Sequence, residues 1–213
     1  IAANYFQFIF LGVLGAIFAN STGAGGGVVF IPAFNQLGFT DAQAVATSFG
    51  IQCFGMTAGA ITWWRYYRNL KRHEVSWQSL PKISLLVATL AISGVLIAQV
   101  FNWHAPSSLK ELFKSFSVVL GIAILLTAYL IKGTRPISIA SGVDYIALGI
   151  IALFGGVITH WLSVGVGELV AIYLILRRFD VTMSIAIAVI ISAFTVWSAS
   201  IHHILIEQQA YWQ

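Results

Sequence analysis

The chain has 213 residues, of which 59% are hydrophobic and only 8% charged, with 11 Lys and Arg against 7 Asp and Glu. Soluble domains carry about a quarter charged residues, so a soluble enzyme, a disordered tail and a nucleic-acid module are excluded. The small basic excess points to cytoplasmic loops of a polytopic membrane protein, and the single cysteine, Cys53, allows no internal disulfide and fits no metal-ligand spacing.

The first residues, Ile1 to Asn4, carry no basic stretch, so nothing reads as a cleaved signal peptide. Residues 5–37 are apolar but interrupted by NSTGAGGG (Asn20–Gly27), which predicts two shorter helices around a break. Segments 41–66, 80–101 and 109–131 follow, each meeting the requirement of about 20 apolar residues for a span. Residues 143–176 are interrupted again, by THWLSVGVGE (Thr159–Glu168), and 181–206 forms the last span. Non-helical backbone at membrane depth leaves N–H and C=O groups unpaired, and is tolerated only inside protein or beside a wet cavity.

Loop charge sets the orientation. Arg65, Arg68, Lys71, Arg72 and Lys82, then Lys132 with Arg135, then Arg177 with Arg178, place nine of the eleven basic residues on one face. That face, including loop 65–82, is assigned as cytoplasmic. Lys110 and Lys114 fall on the other side. Trp63, Trp64, Tyr66 and Tyr67 abut the basic loop and Trp103 marks the opposite interface, as aromatic belts do.

The two interrupted regions match at a gap-free offset of 140 residues, with Gly25, Gly27, Phe39 and Ala46 falling on Gly165, Gly167, Phe179 and Ala186. Their charge flanks are opposite. Residues 37–40 hold no Lys or Arg where 177–180 hold two, and 65–73 hold four where 205–213 hold none. The expected fold is therefore an all-α polytopic membrane protein with two inverted repeats, whose broken, re-entrant half-helices meet near the midplane. The first repeat with its following spans is expected over 1–136 and the second over 137–213, the second being either short or, as comparison with the first favours, without a C-terminal pair of helices. Inverted repeats with discontinuous helices are the sequence signature of secondary transporters.

GAGGGVVFIPAF (Gly23–Phe34), followed by AVATS (Ala44–Ser48), resembles the first-repeat motif of the sulfite exporter TauE/SafE family. GVGELVAIYLILRRFD (Gly165–Asp180) resembles the second-repeat motif, with Val166 and Glu168 where the first repeat has Gly26 and Val28. The resemblance covers most of the chain. It implies a multi-pass protein of the bacterial inner membrane that moves sulfur-containing anions of the sulfite, sulfonate, sulfoacetate or thiosulfate class. Its partners would be that anion and the bilayer, with no nucleic acid; a homo-oligomer is compatible with it.

An anion in a low-dielectric interior needs hydrogen bonds or a counter-charge. Helix N-termini supply free N–H groups and a positive dipole end. Half-helices starting near Gly25, with Gly26 and Gly27, and near Gly165, with Gly167, would point two such ends at the midplane; close helix packing is the competing role for these glycines, as for Gly55 and Gly59. Asn20, Ser21 and Thr22 at the first break, and Thr159, His160, Trp161 and Ser163 at the second, are donors suited to sulfonate oxygens or caps for half-helix ends. Glu168 reads either as a cap or as a proton-coupling carboxylate. Gln52 and Ser192 correspond under the offset and are candidate cavity walls; Cys53 reads as a small packing residue and His202 with His203 as interfacial.

No GxxxxGK[ST] motif occurs, so an ion or substrate gradient must drive movement. No cofactor is called for and no nucleophile–base pair is apparent. Two other readings stand beside a carrier: a membrane scaffold or assembly subunit whose glycines serve packing alone, and a metal-ion permease using His160, Glu168 and Cys53.

Overall fold

The computed structural model describes residues 2–104, 108–130 and 139–206. The described residues form helices and no strands: α1 (Ala2–Thr22), α2 (Gly27–Gln36), α3 (Asp41–Tyr66), α4 (Leu80–Val100), α5 (Leu109–Leu130), α6 (Gly142–Leu162), α7 (Val166–Leu176) and α8 (Val181–Ser200). A π-helical turn continues α3 over Tyr67–Lys71, and another continues α8 over Ile201–Ile206. Lys132 and Arg135, the 136/137 border and residues 207–213 lie outside the described residues.

The helix boundaries have local chemical causes. Thr40 caps α3, its hydroxyl accepting from Gln43 N at 3.3 Å while the Gln43 side chain takes Thr40 N at 3.0 Å. Ser141 and Asp144 make the same reciprocal box at the start of α6, and Asp180 Oδ1 accepts from Met183 N at 2.7 Å at the start of α8. Each arrangement satisfies N–H groups that a helix start leaves orphaned.

Both breaks occur where glycine was seen, but they divide their regions unequally. A 21-residue helix precedes a 10-residue one in the first region, and a 21-residue helix precedes an 11-residue one in the second. At 1.5 Å per residue, α6 is about 31 Å long and α7 about 16 Å. Among the described residues, four stretches are long and apolar enough to cross a membrane: Asp41–Lys71, Val75–Val100, Gly142–Leu162 and Val181–His203. The 142–162 helix, expected as a half-helix, is one of them; α5, expected as a span, carries Lys110, Glu111 and Lys114 in its first two turns and no charged residue from Ser115 to Leu130.

Side-chain contacts give the helix directions. Val166 N donates to Thr159 Oγ1 at 3.0 Å and Tyr173 Oη to Asp144 Oδ1 at 2.9 Å, so α7 runs back along α6. Likewise the Phe30 ring abuts Gly15 and the Phe8 and Phe34 rings lie 6.5 Å apart, so α2 runs back along α1. Between the two regions, Cys53 Sγ donates to Ser200 Oγ at 3.2 Å and Trp197 Nε1 to Thr57 Oγ1 at 2.9 Å, while Gly59 faces Val189. Residue numbers rise along α3 as they fall along α8, so this central pair is antiparallel.

The turns also repeat in detail. Gly23 and Ser163, and Gly38 and Arg178, are positive-φ pairs 140 positions apart. The bonds Gly23 N to Ala19 O, Gly38 N to Asn35 O and Phe39 N to Phe34 O recur as Ser163 N to Thr159 O, Arg178 N to Ile175 O and Phe179 N to Leu174 O.

The core centres on α8, whose residues from Met183 to Ser200 are buried on nearly every side, as expected of a helix that is apolar all round. Trp77, Leu80, Ile83 and Val87 from the α4 side, and Leu148, Val170 and Leu174 from α6 and α7, pack against it. The closest backbone approach joins α4 to α6. A Cβ on Gly94 would overlap Leu153 O and one on Gly156 would overlap Ala91 O. Gly55, in contrast, has only Ala16 nearby, at 3.9 Å, so it is not a packing glycine of that kind. Asp144, buried at the start of α6, pairs with Arg177 at 2.7 Å, and Ala140 N reaches Ser79 Oγ at 3.3 Å. The starts of α4 and α6 and the end of α7 thus share one end of the bundle with the basic residues of 65–82.

Candidate functional site

The two breaks meet in the interior. Gly23, Ala24, Gly25, Gly26 and Gly27 are buried, as are Ser163, Val164, Gly165, Val166 and Gly167. Between them lies Glu168, 3% exposed. Its Oε1 accepts from Gly25 N, 143 residues away, at 2.6 Å, and its Oε2 accepts from Gly165 N at 2.9 Å. One carboxylate therefore takes a backbone N–H from each break. The second bond is an ordinary cap, placing negative charge at the positive end of α7; the first cannot be read from local sequence.

Gln52, from the middle of α3, forms the next wall. Its Nε2 donates to Ser163 Oγ at 2.7 Å, Ser163 O at 3.1 Å and Ser48 Oγ at 2.9 Å. Ser163 Oγ also donates to Ser48 Oγ at 3.2 Å. Ser163 closes α6 at φ 57, a left-handed conformation that costs an L-residue roughly 1–2 kcal/mol. The Gln52 and Ser48 bonds hold it there. Gln52 Oε1 is buried with no hydrogen-bond partner among the described residues. A Cβ on Gly25 would sit 3.2 Å from that oxygen, 3.3 Å from Glu168 Oε1 and 3.3 Å from Ser163 O. Three elements thus converge on the point that glycine leaves free.

At three further places a side chain would crowd the site. A Cβ on Gly27 would come 2.8 Å from Ser163 O, and on Gly26 it would come 3.1 Å from Gln52 Cγ. On Gly167 it would overlap Ser192 Oγ and approach Gly23 O to 2.9 Å, which places Ser192 of α8 at the wall of the site. Thr159 holds the second break from below by accepting from Val166 N.

Of the residues singled out in sequence, Gly25, Gly26, Gly27, Gln52, Thr159, Ser163, Gly165, Gly167, Glu168 and Ser192 come together. Five do not. Asn20 Nδ2 turns to Ala16 O at 2.9 Å and Gly55 O at 3.3 Å, and Trp63 Nε1 donates to Asn20 O at 3.1 Å. Ser21 and Thr22 are exposed and bond back to Phe18 O. Trp161 Nε1 donates to Trp103 O at 2.6 Å.

His160 faces His203, with ring nitrogens 3.2 Å apart and ring centroids 4.6 Å apart, and the Phe49 ring stacks on His203 at 5.3 Å. His203 is buried against α6 and α3, on the turn that continues α8 past Ser200. Two residues were missed: His203, and Ser48, whose signal was its place one helical turn before Gln52. His160, Glu168 and Cys53, the three residues of the permease reading, are separately engaged with His203, the glycine N–H groups and Ser200. No group of three or more His, Cys, Asp or Glu among the described residues could hold a metal.

A bundle with four apolar helices of spanning length among its described residues, and a buried polar centre, is a multi-pass membrane protein. Its family follows from the sequence match. The sulfite exporter TauE/SafE family model matches residues 8–213, essentially the whole chain, and the chain belongs to that family. This is a family of membrane transporters and not of enzymes. Searches of curated proteins and of solved structures return no match.

Proposed function

We propose that this chain is a secondary carrier of small sulfur oxyanions, of the sulfite, sulfonate, sulfoacetate or thiosulfate class, working by alternating access around the meeting point of the two breaks. The observation that carries the reading is the Glu168 carboxylate held by Gly25 N and Gly165 N. Paired carboxylate oxygens have the charge and spacing of two oxygens of a sulfonate or sulfite. The N–H groups that receive one can receive the other.

A substrate anion and an ionised Glu168 are then competitors. Two unit charges 4 Å apart repel by about 4 kcal/mol at an effective dielectric constant of 20. The anion enters as Glu168 takes a proton, which makes Glu168 the coupling group and links anion movement to proton movement. Gln52 Oε1, an acceptor without a donor, stands beside the same Gly25 position and is suited to receive that proton's O–H.

The inverted-repeat architecture is supported by the matching turns 140 residues apart and by the antiparallel α3–α8 pair. The short lengths of α2 and α7, each running back along a longer helix, support re-entrant segments. An inner-membrane location with loop 65–82 cytoplasmic is supported by the basic end of the bundle.

The test is thermal stability of the purified protein against sulfite, sulfoacetate, taurine, thiosulfate, sulfate and divalent metals, since a ligand specific for the folded state raises stability by mass action. Stabilisation by a sulfur oxyanion, strengthened at acidic pH and reduced in Gln52→Leu, is the expected result. A response to metals alone contradicts the reading.

A further inference from the structure

On the face away from Glu168, α3, α4 and α8 enclose an open groove of about 770 Å³. Its walls are apolar, with Trp64, Leu85 and Phe194 exposed along it, and its mouth is formed by Arg65, Arg68 and Asn69. We propose that this groove binds an anionic phospholipid of the leaflet on the basic side, with the phosphate at Arg65 and Arg68 and an acyl chain lying along Trp64 and Phe194.

Three observations select this occupant. The first is length. The groove runs along α3 from Arg68 to Thr57, which is about 16 Å of helix, roughly half of a 30 Å hydrocarbon core. It starts among the interfacial aromatic and basic residues and ends at bilayer mid-depth, the extent of one leaflet. The second is charge. Neither Arg65 nor Arg68 is paired with a carboxylate among the described residues. The acids at this end are engaged elsewhere, Glu74 with Lys71 at 2.7 Å and Asp144 with Arg177 at 2.7 Å. Two uncompensated guanidinium groups above an apolar slot match a phosphate above a hydrocarbon chain, and basic pockets between membrane helices on the cytoplasmic side hold anionic headgroups. The third is the distribution of polarity. Below the mouth, Thr57 is engaged with Trp197 and Thr89 with its own helix, which leaves the Ser84 hydroxyl, without a partner among the described residues, as the polar group of an otherwise apolar slot.

The position gives the lipid a consequence. Trp197 forms the deep end of the groove and bonds α8 to α3 through Thr57 Oγ1. Five residues earlier α8 carries Ser192 against Gly167. A chain seated on Phe194 and Trp197 therefore braces the α3–α8 seam that flanks the anion site.

The test uses the full chain in mild detergent, with phosphatidylglycerol and phosphatidylcholine of identical acyl chains, read by native mass spectrometry and by thermal stability. The expected result is retention of phosphatidylglycerol over phosphatidylcholine by on the order of tenfold, lost in Arg65→Gln/Arg68→Gln and in the groove-filling Ala88→Phe, and kept in Lys110→Gln/Lys114→Gln at the opposite end. Ala88→Phe leaves both arginines in place, so a fold defect in the arginine variant does not decide the outcome. Equal retention of the two lipids, or retention unchanged by Ala88→Phe, overturns the proposal. A dimer that Ala88→Phe dissociates and that ignores lipid overturns it in favour of a second copy in the groove.

Discussion

The two breaks share a backbone path but divide the work differently. At the first, Gly23, Gly25 and Gly26 present backbone alone, Asn20 and Ser21 turn toward α1 and α3, and exposed Thr22 bonds Phe18 O and accepts from Ala24 N at 3.2 Å. At the second, Thr159, Ser163 and Glu168 all turn inward and hold backbone or Gln52. The glycine-rich break contributes room and N–H donors, and the break with fewer glycines contributes the charge. Polar side chains flanking a helix break are thus no guide by themselves to what the break binds; their register relative to the neighbouring long helix decides.

The comparison can be broken most severely through the glycines that let the breaks interlock. Gly167→Val would drive a branched side chain into Ser192 and the Gly23 carbonyl. Overpacking of this kind costs typically 1–3 kcal/mol, occasionally more. Fluorescence-detected size exclusion after extraction should show loss of the monodisperse species, whereas Gly55→Ala, with only Ala16 nearby at 3.9 Å, should behave as the parent.

Comparable in size is Glu168→Ala, which strands two buried N–H donors at a combined cost of roughly 1–3 kcal/mol or more. Its melting temperature should fall clearly. Added sulfur oxyanion should recover part of the loss, because the anion replaces the missing carboxylate.

Gln52→Leu removes the clamp on left-handed Ser163 and should cost roughly 1–3 kcal/mol, with weakened anion stabilisation. A loss of stability with anion response intact would assign Gln52 to the fold alone.

The smallest effect sharpens the contrast. Asn20→Ala should shift stability by about 1 kcal/mol or less and leave the anion response unchanged, since its amide serves Ala16 O and Gly55 O. A lost response would return the first break's side chains to the site.

Much of this was legible because it is encoded locally. Thr40, Ser141 and Asp180 cap helices where the apolar runs begin, and the glycine clusters mark where α1 and α6 stop. The unequal halves were not legible, because a glycine cluster tells where a helix ends and says nothing about where its successor folds back. The Glu168–Gly25 bond spans 143 residues and Gln52–Ser163 spans 111, so only the packing of α3 between the breaks creates them. Gly94 and Gly156 each have an alanine one helical turn away, Ala98 and Ala152, but nothing local pairs α4 with α6, so their mutual contact is created by the packing of two helices about 60 residues apart.

The central claim is that substrate anion and ionised Glu168 exclude one another. The direct measurement is anion flux into proteoliposomes with a pH-sensitive dye inside, comparing the parent with Glu168→Gln. The account predicts that uptake of a sulfur oxyanion moves protons in the parent, and that anion binding or flux in Glu168→Gln proceeds without them. Proton movement that persists unchanged in Glu168→Gln, or anion flux in the parent with no change of internal pH, would contradict it.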